Sequence, residues 1–351
     1  MMARRFNAAL VLLLLFSGIA CLCLPQPSIP TPTPNPYSLA PEQPMNEILL
    51  GGVIFYKQVA TSGLAWYGDL LLDLPQRVDQ YSSEDNDIVR GGIFAIRKVD
   101  ILNYLGGDPK PVGGHPFVVN APGLLAKIPD YQGFEAIAVS GEQIYLAIEA
   151  GQGSDMQGYL VTGVIDPLAE QITLDTTRLV SLPPQAQVEG MAYEALTIVD
   201  DKVLAIYAAN GAGLNLSPVA YVFSLELDPL GTIPFPNVEY RITDATPANE
   251  QGRFWVLNCY NPEDTGLLPK SDPLLEKYGQ GATHAQYPQV ERLVQLQYTA
   301  AGIILVDEPP IQLQLAQESR NWEGIARLDD QGFLLMTDKF PYTMLAFVSK
   351  P

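Results

Sequence analysis

The chain has 351 residues, of which 47% are hydrophobic, and this length and composition can bury a large core. The 20 Lys and Arg residues against 39 Asp and Glu residues give a formal net charge of −19, which disfavours binding to nucleic acids and other polyanions. Only Cys259 lies beyond the first 23 residues, and the two histidines are far apart, so neither a disulfide framework nor a zinc site is expected.

Residues 1 to about 20 have the pattern of a secretion signal. Arg4 and Arg5 precede the apolar run Ala8–Phe16, which is too short to span a bilayer, and small residues follow it. Gly18-Ile19-Ala20-Cys21 resembles the processing box of bacterial lipoproteins, which implies a lipid on Cys21. The alternative is ordinary cleavage near Ala20, which leaves the cysteine free.

A proline-rich segment, residues 21–45, follows the predicted signal. Six prolines lie between positions 25 and 36, with Thr, Ser and Asn among them. Proline at this density favours an extended polyproline II chain that cannot bury a core. We expect a tether that holds an extracytoplasmic domain, residues 46–351, away from a membrane to which the lipid attaches it.

Five copies of one pattern fill the rest of the chain. The pattern is a short strand that opens on an acid and a small residue, a polar turn, and an apolar strand that ends near an acid; in two copies Ser62 and Thr243 replace the first acid. Five β-hairpin copies that start roughly 50 to 80 residues apart are typical of radial β-architectures. The aligned steps are Ser62-Gly63, Glu135-Ala136, Glu189-Gly190, Thr243-Asp244 and Glu323-Gly324.

This pattern predicts an all-β fold, a closed β-propeller of five blades with four antiparallel strands each. The predicted blades span residues 60–128, 133–182, 187–242, 243–315 and 321–349. The last blade has three strands, and its fourth is expected to come from Ile48–Tyr56, which would close the ring and remove an exposed sheet edge. Six blades, with the long fourth segment divided in two, is the alternative. A short helix is expected only near Asp272–Tyr278.

The Glu-Gly-Ile/Met-Ala strand followed by an apolar strand ending in an acid resembles the phytase-like family (esterase-like activity of phytase). The likeness covers nearly all of residues 46–350. What it implies is an acidic propeller with carboxylates near a central channel. Some phytase-related propellers bind calcium there and hydrolyse phosphate esters, so the resemblance implies an activity of that kind as one outcome.

Acids at equivalent positions in different blades are expected to converge on the axis of the ring. Converging carboxylates repel each other unless a cation or hydrogen-bond donors neutralise them, and hard oxygen ligands suit Ca²⁺. The alternative is that each acid accepts hydrogen bonds from backbone N–H groups of the neighbouring blade. The predicted Ca²⁺ ligands are Glu135, Glu189 and Glu323 at the strand starts, with Asp73, Glu149 and Asp338 at the second-strand ends.

Two functions from different classes follow. One is a surface-anchored binding or scaffold propeller for a small molecule, glycan or protein. The other is a Ca²⁺-dependent phosphoesterase, which would need basic groups beside the acids, and Arg320 and Lys339 are the best-placed ones. The net negative charge favours the first. No catalytic residue is assigned, and the acidic run Glu84–Asp87 is a second candidate for a calcium loop.

Overall fold

The computed structural model describes residues 39–55, 59–78, 81–82, 88–89 and 92–351. The predicted signal, Cys21, most of the tether and the acidic run Glu84–Asp87 lie outside the described residues. Strands dominate the described part, which confirms the all-β prediction. Of the described helices, none combines the length and the apolar character needed to cross a membrane.

Three short strands begin the described chain, and a sheet of four antiparallel strands follows them. The first sheet has the order β4-β5-β8-β9, with a small β6–β7 hairpin and two helices outside it. The elements are β1 (Glu42–Gln43), β2 (Met45–Ile48), β3 (Leu50–Gly51), a 3-10 helix (Gly52–Phe55), β4 (Thr61–Tyr67), β5 (Leu70–Pro75), β6 (Tyr81–Ser82), β7 (Ile88–Val89), β8 (Gly92–Arg97), α1 (Lys98–Leu105), β9 (Val112–Asn120) and α2 (Leu124–Lys127).

The second and third segments each form a meander of four antiparallel strands. Their strands are β10 (Tyr131–Ser140), β11 (Gln143–Gln152), β12 (Asp155–Asp166), β13 (Gln171–Leu174), β14 (Val180–Leu182), β15 (Ala195–Val199), β16 (Lys202–Ile206), β17 (Val219–Ser224) and β18 (Pro229–Pro234). In the second segment the fifth short strand, β14, also pairs with β12. The outer strands β9 and β13 pair in parallel, so the first two meanders share one continuous sheet. The predicted strand start at Val188–Ala192 is wrong, because those residues form turns before β15.

The fourth segment forms one sheet, and the fifth contributes three strands. Residues 260–287 connect β20 to β21 through two short helices, so the long fourth segment is not divided into two sheets. The elements are β19 (Arg241–Ala245), β20 (Arg253–Tyr260), a 3-10 helix (Thr265–Leu267), α3 (Pro273–Tyr278), β21 (Val290–Thr299), β22 (Gly302–Leu305), β23 (Ile311–Leu313), β24 (Trp322–Leu328), β25 (Gly332–Thr337) and β26 (Leu345–Ser349). The short helix predicted here is confirmed, with Asp272 capping its first turn.

The N-terminal segment pairs with three different sheets. β2 lies antiparallel to β26 with Met45 opposite Val348 and Ile48 opposite Leu345, and it becomes the fourth strand of the last sheet. β1 runs parallel to β23, and β3 runs parallel to β9. A fourth strand from this segment was predicted at Ile48–Tyr56, but it spans Met45–Ile48. The chain turns away afterwards, where Gly52 has a positive φ of 69°.

The first strands of the five segments lie side by side in cyclic order. β4 packs on β10, β10 on β15, β15 on β19, β19 on β24, and β24 on β4. The apolar core fills the spaces between neighbouring sheets; for example, Phe134 and Ile137 of the second pack with Leu72 of the first. This radial arrangement of antiparallel meanders is a β-propeller.

Four first strands carry a β-bulge at the position where the sequence copies were aligned. The pairing register breaks at Ser62 in β4, Glu135 in β10, Thr243 in β19 and Glu323 in β24. A bulge leaves one residue unpaired and re-aims its side chain. The alignment of these four copies therefore identifies one equivalent structural position.

Candidate functional site at the channel mouth

Arg241 links three blades at one end of the inner strands. It is the first residue of β19, and only 17% of its side chain is exposed. Its Nη2 lies 2.9 Å from Oε1 of Glu323 on β24, and its Nε donates a hydrogen bond to Oε2 of Glu194, just before β15. Guanidinium groups form strong charge-assisted hydrogen bonds with carboxylates, so Arg241 is the cation that neutralises acids from two neighbouring strands.

Glu135 and Glu149 of the second blade extend this group of acids. Glu135 lies at the β10 bulge and accepts a 3.0 Å hydrogen bond from Nε2 of Gln76. Glu149 lies on β11 opposite Gly133, and its Oε1 is buried without a hydrogen-bond partner among the described residues. The charges of Glu135, Glu194 and Arg241 all act on Glu149. We call Glu135, Glu149, Glu194, Glu323 and Arg241 the channel cluster.

Burial governs the protonation of the channel cluster. It raises the pKa of Glu135 to about 7 and the pKa of Glu149 to about 9. It also raises the pKa values of Glu194 and Glu323, which the positive charge of Arg241 opposes. The guanidinium of Arg241 contacts the carboxyl groups of Glu194 and Glu323, so its charge opposes their protonation most directly. Burial therefore favours protonation throughout the channel cluster, and Arg241 is the positive charge that works against it.

An open pocket of about 580 Å³ lies beside Arg241, and we call it the mouth pocket. Four acids line it, two from the β20–β21 connection and two from near the fifth segment. Its other polar groups include Asn321, whose Oδ1 lies 3.5 Å from Nη1 of Arg241. The lining residues used below are Arg241, Glu263, Asp264, Glu318, Asp338 and Phe340.

The structure brings together some of the predicted metal ligands but not all of them. Glu135, Glu149 and Glu323 share the channel cluster, and the charge of Asp338 acts on Glu323. Glu189 is exposed in a turn, and the acid at the start of the third blade's first strand is Glu194. Among the described residues, no group of three or more His, Cys, Asp or Glu side chains is arranged to hold a metal ion. Ca²⁺ binding stays a prediction.

Asp73 was aligned with Glu149, but their registers differ. Asp73 pairs with Leu64, beyond the bulge of β4, whereas Glu149 pairs with Gly133, before the bulge of β10. The residue of the first blade that occupies the Glu149 position is Gln76, whose backbone N–H bonds the carbonyl of Ala60. Asp73 is fully buried, and burial raises its pKa to about 7 against the effect of the nearby Thr61 hydroxyl.

The alternative to metal binding was that an acid accepts hydrogen bonds from backbone N–H groups of a neighbouring blade. The structure shows such bonds at Asp244 of the fourth blade. Oδ2 of Asp244 accepts bonds from the backbone N–H groups of Leu64 at 3.1 Å and Ile325 at 2.8 Å. Oδ1 accepts from Ala245 at 2.8 Å. This fully buried carboxyl joins β19 to β4 and β24, which makes it a clasp between the fourth, fifth and first blades.

The two basic residues predicted beside the acids have other surroundings. Arg320 is buried in an ion pair with Glu291, at 2.7 Å, and stacks near Trp322. Lys339 is exposed and lies 6.0 Å from the ring centroid of Phe340. Within the part of the chain that the structure describes, Arg241 is therefore the one basic side chain that lines the mouth pocket.

Sequence reasoning missed Arg241 and Glu194. Glu194 could have been found by counting back from the end of the first strand. In β4, β10 and β24 the bulge residue lies five residues before the last residue of the strand. Glu194 likewise lies five residues before Val199, the last residue of β15. Arg241 carries no comparable signal, because it precedes the weakest copy of the repeat.

Comparisons with known proteins do not assign this chain to a family. No family model matches the sequence, and no curated protein matches it. A crystal structure of glutaminyl cyclase from Myxococcus xanthus is 11% identical over 88% of this chain and 100% of its own, with a TM-score of 0.41. Two further structures are similar to the same degree. An α-L-arabinanase variant from Cellvibrio cellulosa is 10% identical over 84% of this chain and 92% of its own, with a TM-score of 0.45. A GH43_1 enzyme from Xanthomonas citri is 10% identical over 84% of this chain and 89% of its own, with a TM-score of 0.44. Similarity this low carries no inference about activity, and the phytase-like resemblance stays a prediction.

Proposed function

We propose that the domain is a closed five-bladed propeller that binds a small polar ligand in the mouth pocket. The observation that carries this proposal is the buried Arg241 bridge between Glu194 and Glu323 beneath an open, polar pocket of about 580 Å³. Ligand sites are concave and combine a few fixed polar groups with apolar walls. Five inner strands in cyclic order and the pairing of β2 with β26 support the closed ring.

Binding is favoured over phosphate-ester hydrolysis by the charge of the lining. A transferring phosphoryl group needs cations that are free to contact it. The guanidinium of Arg241 already contacts two carboxylates, and the other charged residues that line the mouth pocket are acids. A polyanionic substrate would therefore be repelled at this site.

A thermal-shift and calorimetry screen of the full-length protein in detergent tests this function. The probes are glucose, 1,4-diaminobutane, succinate, inorganic phosphate and CaCl₂. We expect a saturable rise in Tm with at least one organic probe, abolished by the double change Asp264→Asn and Asp338→Asn and unaffected by the exposed control Asp228→Asn. Saturation that survives the double change, or no saturable response to any probe, would refute binding in the mouth pocket.

The calcium arm of the screen separates the two predicted roles of the acids. Ca²⁺ held by the channel cluster would raise Tm in the native protein and lose that effect with Glu135→Gln and Glu149→Gln. A calcium response that survives these changes would place the ion elsewhere, and the Glu84–Asp87 run is the next candidate.

We also propose that the domain acts outside the cytoplasm, anchored through a lipid on Cys21. The sequence pattern of residues 1–45 is the support for this proposal. Cys21→Ser is expected to move the protein from the membrane fraction to the soluble fraction. Sedimentation of the variant with membranes after an alkaline wash would contradict the anchor.

A further inference from the structure

We propose that a second pocket, in the fourth blade, binds an uncharged molecule that carries several hydroxyl groups and is about the size of a five-carbon sugar. Residues of β21 and of the connection between β20 and β21 form most of its lining, so we call it the insertion pocket. Its volume is about 190 Å³. The proposal goes beyond the mouth pocket, which adjoins it, since Pro288 and Gln289 line both. The lining residues used below are Tyr240, Asp272, Leu274, His284, Arg292 and Pro310.

The hydroxyl of Tyr240 has bonding capacity that the chain leaves unused. Tyr240 is 9% exposed and lines the insertion pocket, and its hydroxyl makes no hydrogen bond with any described residue. Burial raises the pKa of Tyr240 to about 12, so the hydroxyl keeps its proton and can both donate and accept. Buried polar groups are almost always paired in native proteins. An unpaired hydroxyl on a residue that lines a cavity therefore marks a place where a ligand can bond.

Arg292 provides further donors in the same lining, and its charge is already neutralised. Its Nη1 and Nη2 donate to the carboxylate of Asp272 at 2.6 and 3.4 Å, and its Nε donates to Oδ1 of Asn258 at 2.7 Å. A guanidinium carries five N–H groups, so these bonds leave others unused. The Cζ atom of Arg292 lies 5.4 Å from the centroid of the Tyr240 ring, which places the two groups side by side.

These groups favour an uncharged ligand with hydroxyl groups. The charges of Arg292 and Asp272 cancel, so a charged ligand would enter a partly dry pocket without a counter-charge. A purely apolar ligand would leave the polar groups of Tyr240 and Arg292 unpaired. A hydroxyl group both donates and accepts, which suits these two residues, and the C–H groups of a polyol suit the apolar walls at Leu274 and Pro310. The volume of about 190 Å³ equals that of about six water molecules in the liquid, which is enough for a five-carbon polyol.

Bonds within the chain hold one wall of the insertion pocket in place. The backbone N–H and the Nδ1 of His284 lie 3.0 and 2.8 Å from Oε1 of Glu42. The side chain of Gln312 accepts from the N–H of Gly281 at 2.8 Å and donates to the carbonyl oxygen of Gly279 at 3.0 Å. A preformed site loses less free energy to ordering when its ligand binds.

Isothermal titration calorimetry of the full-length protein in detergent tests this inference. The probes are D-xylose, D-ribose and xylitol as uncharged polyols, xylonate as the anion and cyclopentanol as the analogue with a single hydroxyl. We expect saturable binding of at least one polyol, roughly tenfold or more tighter than that of xylonate and of cyclopentanol. Glucose is left out, because it serves as a probe of the mouth pocket.

Removal of one hydroxyl assigns the binding to the insertion pocket. Tyr240→Phe should weaken polyol binding by roughly tenfold, whereas the Tm of the free protein should stay unchanged, because the lost hydroxyl has no partner in the chain. Tyr159→Phe makes the same change on β12 of the second blade and should leave the affinity unaltered. The double change Asp264→Asn and Asp338→Asn, which removes two acids of the mouth pocket, should also leave it unaltered.

The outcomes separate this inference from the proposed function. Failure of every polyol to bind saturably, equal binding of xylonate, or an affinity that Tyr240→Phe leaves unchanged would overturn the insertion pocket as a polyol site. Polyol binding that is lost with Asp264→Asn and Asp338→Asn but retained in Tyr240→Phe would place the polyol in the mouth pocket, which would overturn this inference and support the proposed function. Ligand binding in the mouth pocket is otherwise judged by its own probes.

Discussion

At the scale of single residues, Arg241 supplies the positive charge that opposes protonation of the buried acids in the channel cluster. The guanidinium keeps its proton at any pH in which a protein folds, and it contacts Glu194 and Glu323 in a buried setting. Breaking a buried ion pair by removing one partner is strongly destabilising, because the other charge stays buried without compensation.

Arg241→Gln is therefore expected to lower the free energy of unfolding by roughly 3–5 kcal/mol near pH 8. Part of this loss should be recovered near pH 5, since protonation neutralises the two carboxyl groups that lost their partner. Urea denaturation at both pH values measures the change. Arg178→Gln removes a half-exposed ion pair with Asp228 and is the matched control, with an expected loss below about 1 kcal/mol. A pH-independent loss in Arg241→Gln would contradict the assignment of charge to Glu194 and Glu323.

The second prediction at this scale concerns Glu149, whose ionisation changes stability with pH in the direction opposite to that of most acids. Burial raises its folded-state pKa to about 9, so between about pH 5 and pH 9 the folded protein binds more protons than the unfolded chain. Stability must then fall as the pH rises through this window. Glu149→Gln keeps the neutral shape, and it is expected to flatten the fall in Tm between pH 6 and pH 9. Glu189→Gln, at an exposed turn, should leave the slope as it is; an unchanged slope in Glu149→Gln as well would show that this group does not hold a proton.

The sequence predicted part of this site because the repeat fixes one position per blade. Glu135 and Glu323 were identified through their shared place in the pattern, and the bulges at both residues explain why the pattern exists. Glu189 was misassigned because Glu-Gly-Met-Ala resembles the motif more closely than Tyr193-Glu194-Ala195 does. The role of Arg241 depends on which strands surround it, and pairing between distant segments leaves no trace in one short stretch of sequence.

At the scale of elements, the contacts between first strands carry the architecture. β4 and β24 are the terminal strands of their sheets, so alternate backbone N–H groups along them face no paired strand, and those of Leu64 and Ile325 donate to a side chain of β19. A buried N–H group without an acceptor costs free energy, so Asp244 is required by both of its neighbours.

Asp244→Ala is expected to lower the free energy of unfolding by roughly 3 kcal/mol or more, because two N–H groups from other blades lose their acceptor. Asp244→Asn keeps one oxygen in place and should cost less. Urea denaturation of both variants, with the exposed turn variant Asp330→Ala as control, measures the difference. If Asp244→Ala were no less stable than the control, the clasp between the fourth, fifth and first blades would have no energetic role.

Most elements of the fold were predictable because apolar strands alternate with turn residues rich in Gly, Asp and Pro. Helix α1, Lys98–Leu105, was not predicted, because its eight residues give little more than two turns and are too few for a helical period to stand out, although Ile101, Leu102 and Leu105 pack on one core. The N-terminal strand was placed three residues too late. The apolar run that begins at Ile48 resembles a strand, whereas the paired residues Asn46 and Glu47 are polar and exposed.

At the scale of the whole molecule, the short N-terminal strands β1 and β2 pair with strands of the fourth and fifth sheets, which come last in the chain. β2 supplies the last strand of the fifth sheet, and Ile48 is 1% exposed in its core. β1 lies on the fourth sheet, where the carboxylate of Glu42 accepts bonds from the backbone N–H groups of Thr283 and His284, both at 3.0 Å. Nδ1 of His284 also lies 2.8 Å from Glu42. The backbone N–H of Ala40 also donates to the carbonyl oxygen of Gln280 at 3.1 Å, so the segment predicted as the end of a tether is part of the domain from residue 40.

Three truncations separate these contributions to stability. Removing residues 1–38 is expected to leave the free energy of unfolding unchanged, since those residues are predicted to be a secretion signal and an extended tether. Removing residues 1–44 takes away the bonds of Glu42 and should cost roughly 1–3 kcal/mol. Removing residues 1–49 also deletes β2, which exposes the edge of β26 and the apolar surface that Ile48 covers, so a further loss of several kcal/mol is expected. Urea midpoints for the three proteins measure the steps. Equal midpoints for the second and third truncations would show that β2 does not stabilise the last blade, and ring closure by the N-terminal segment would then have to be rejected.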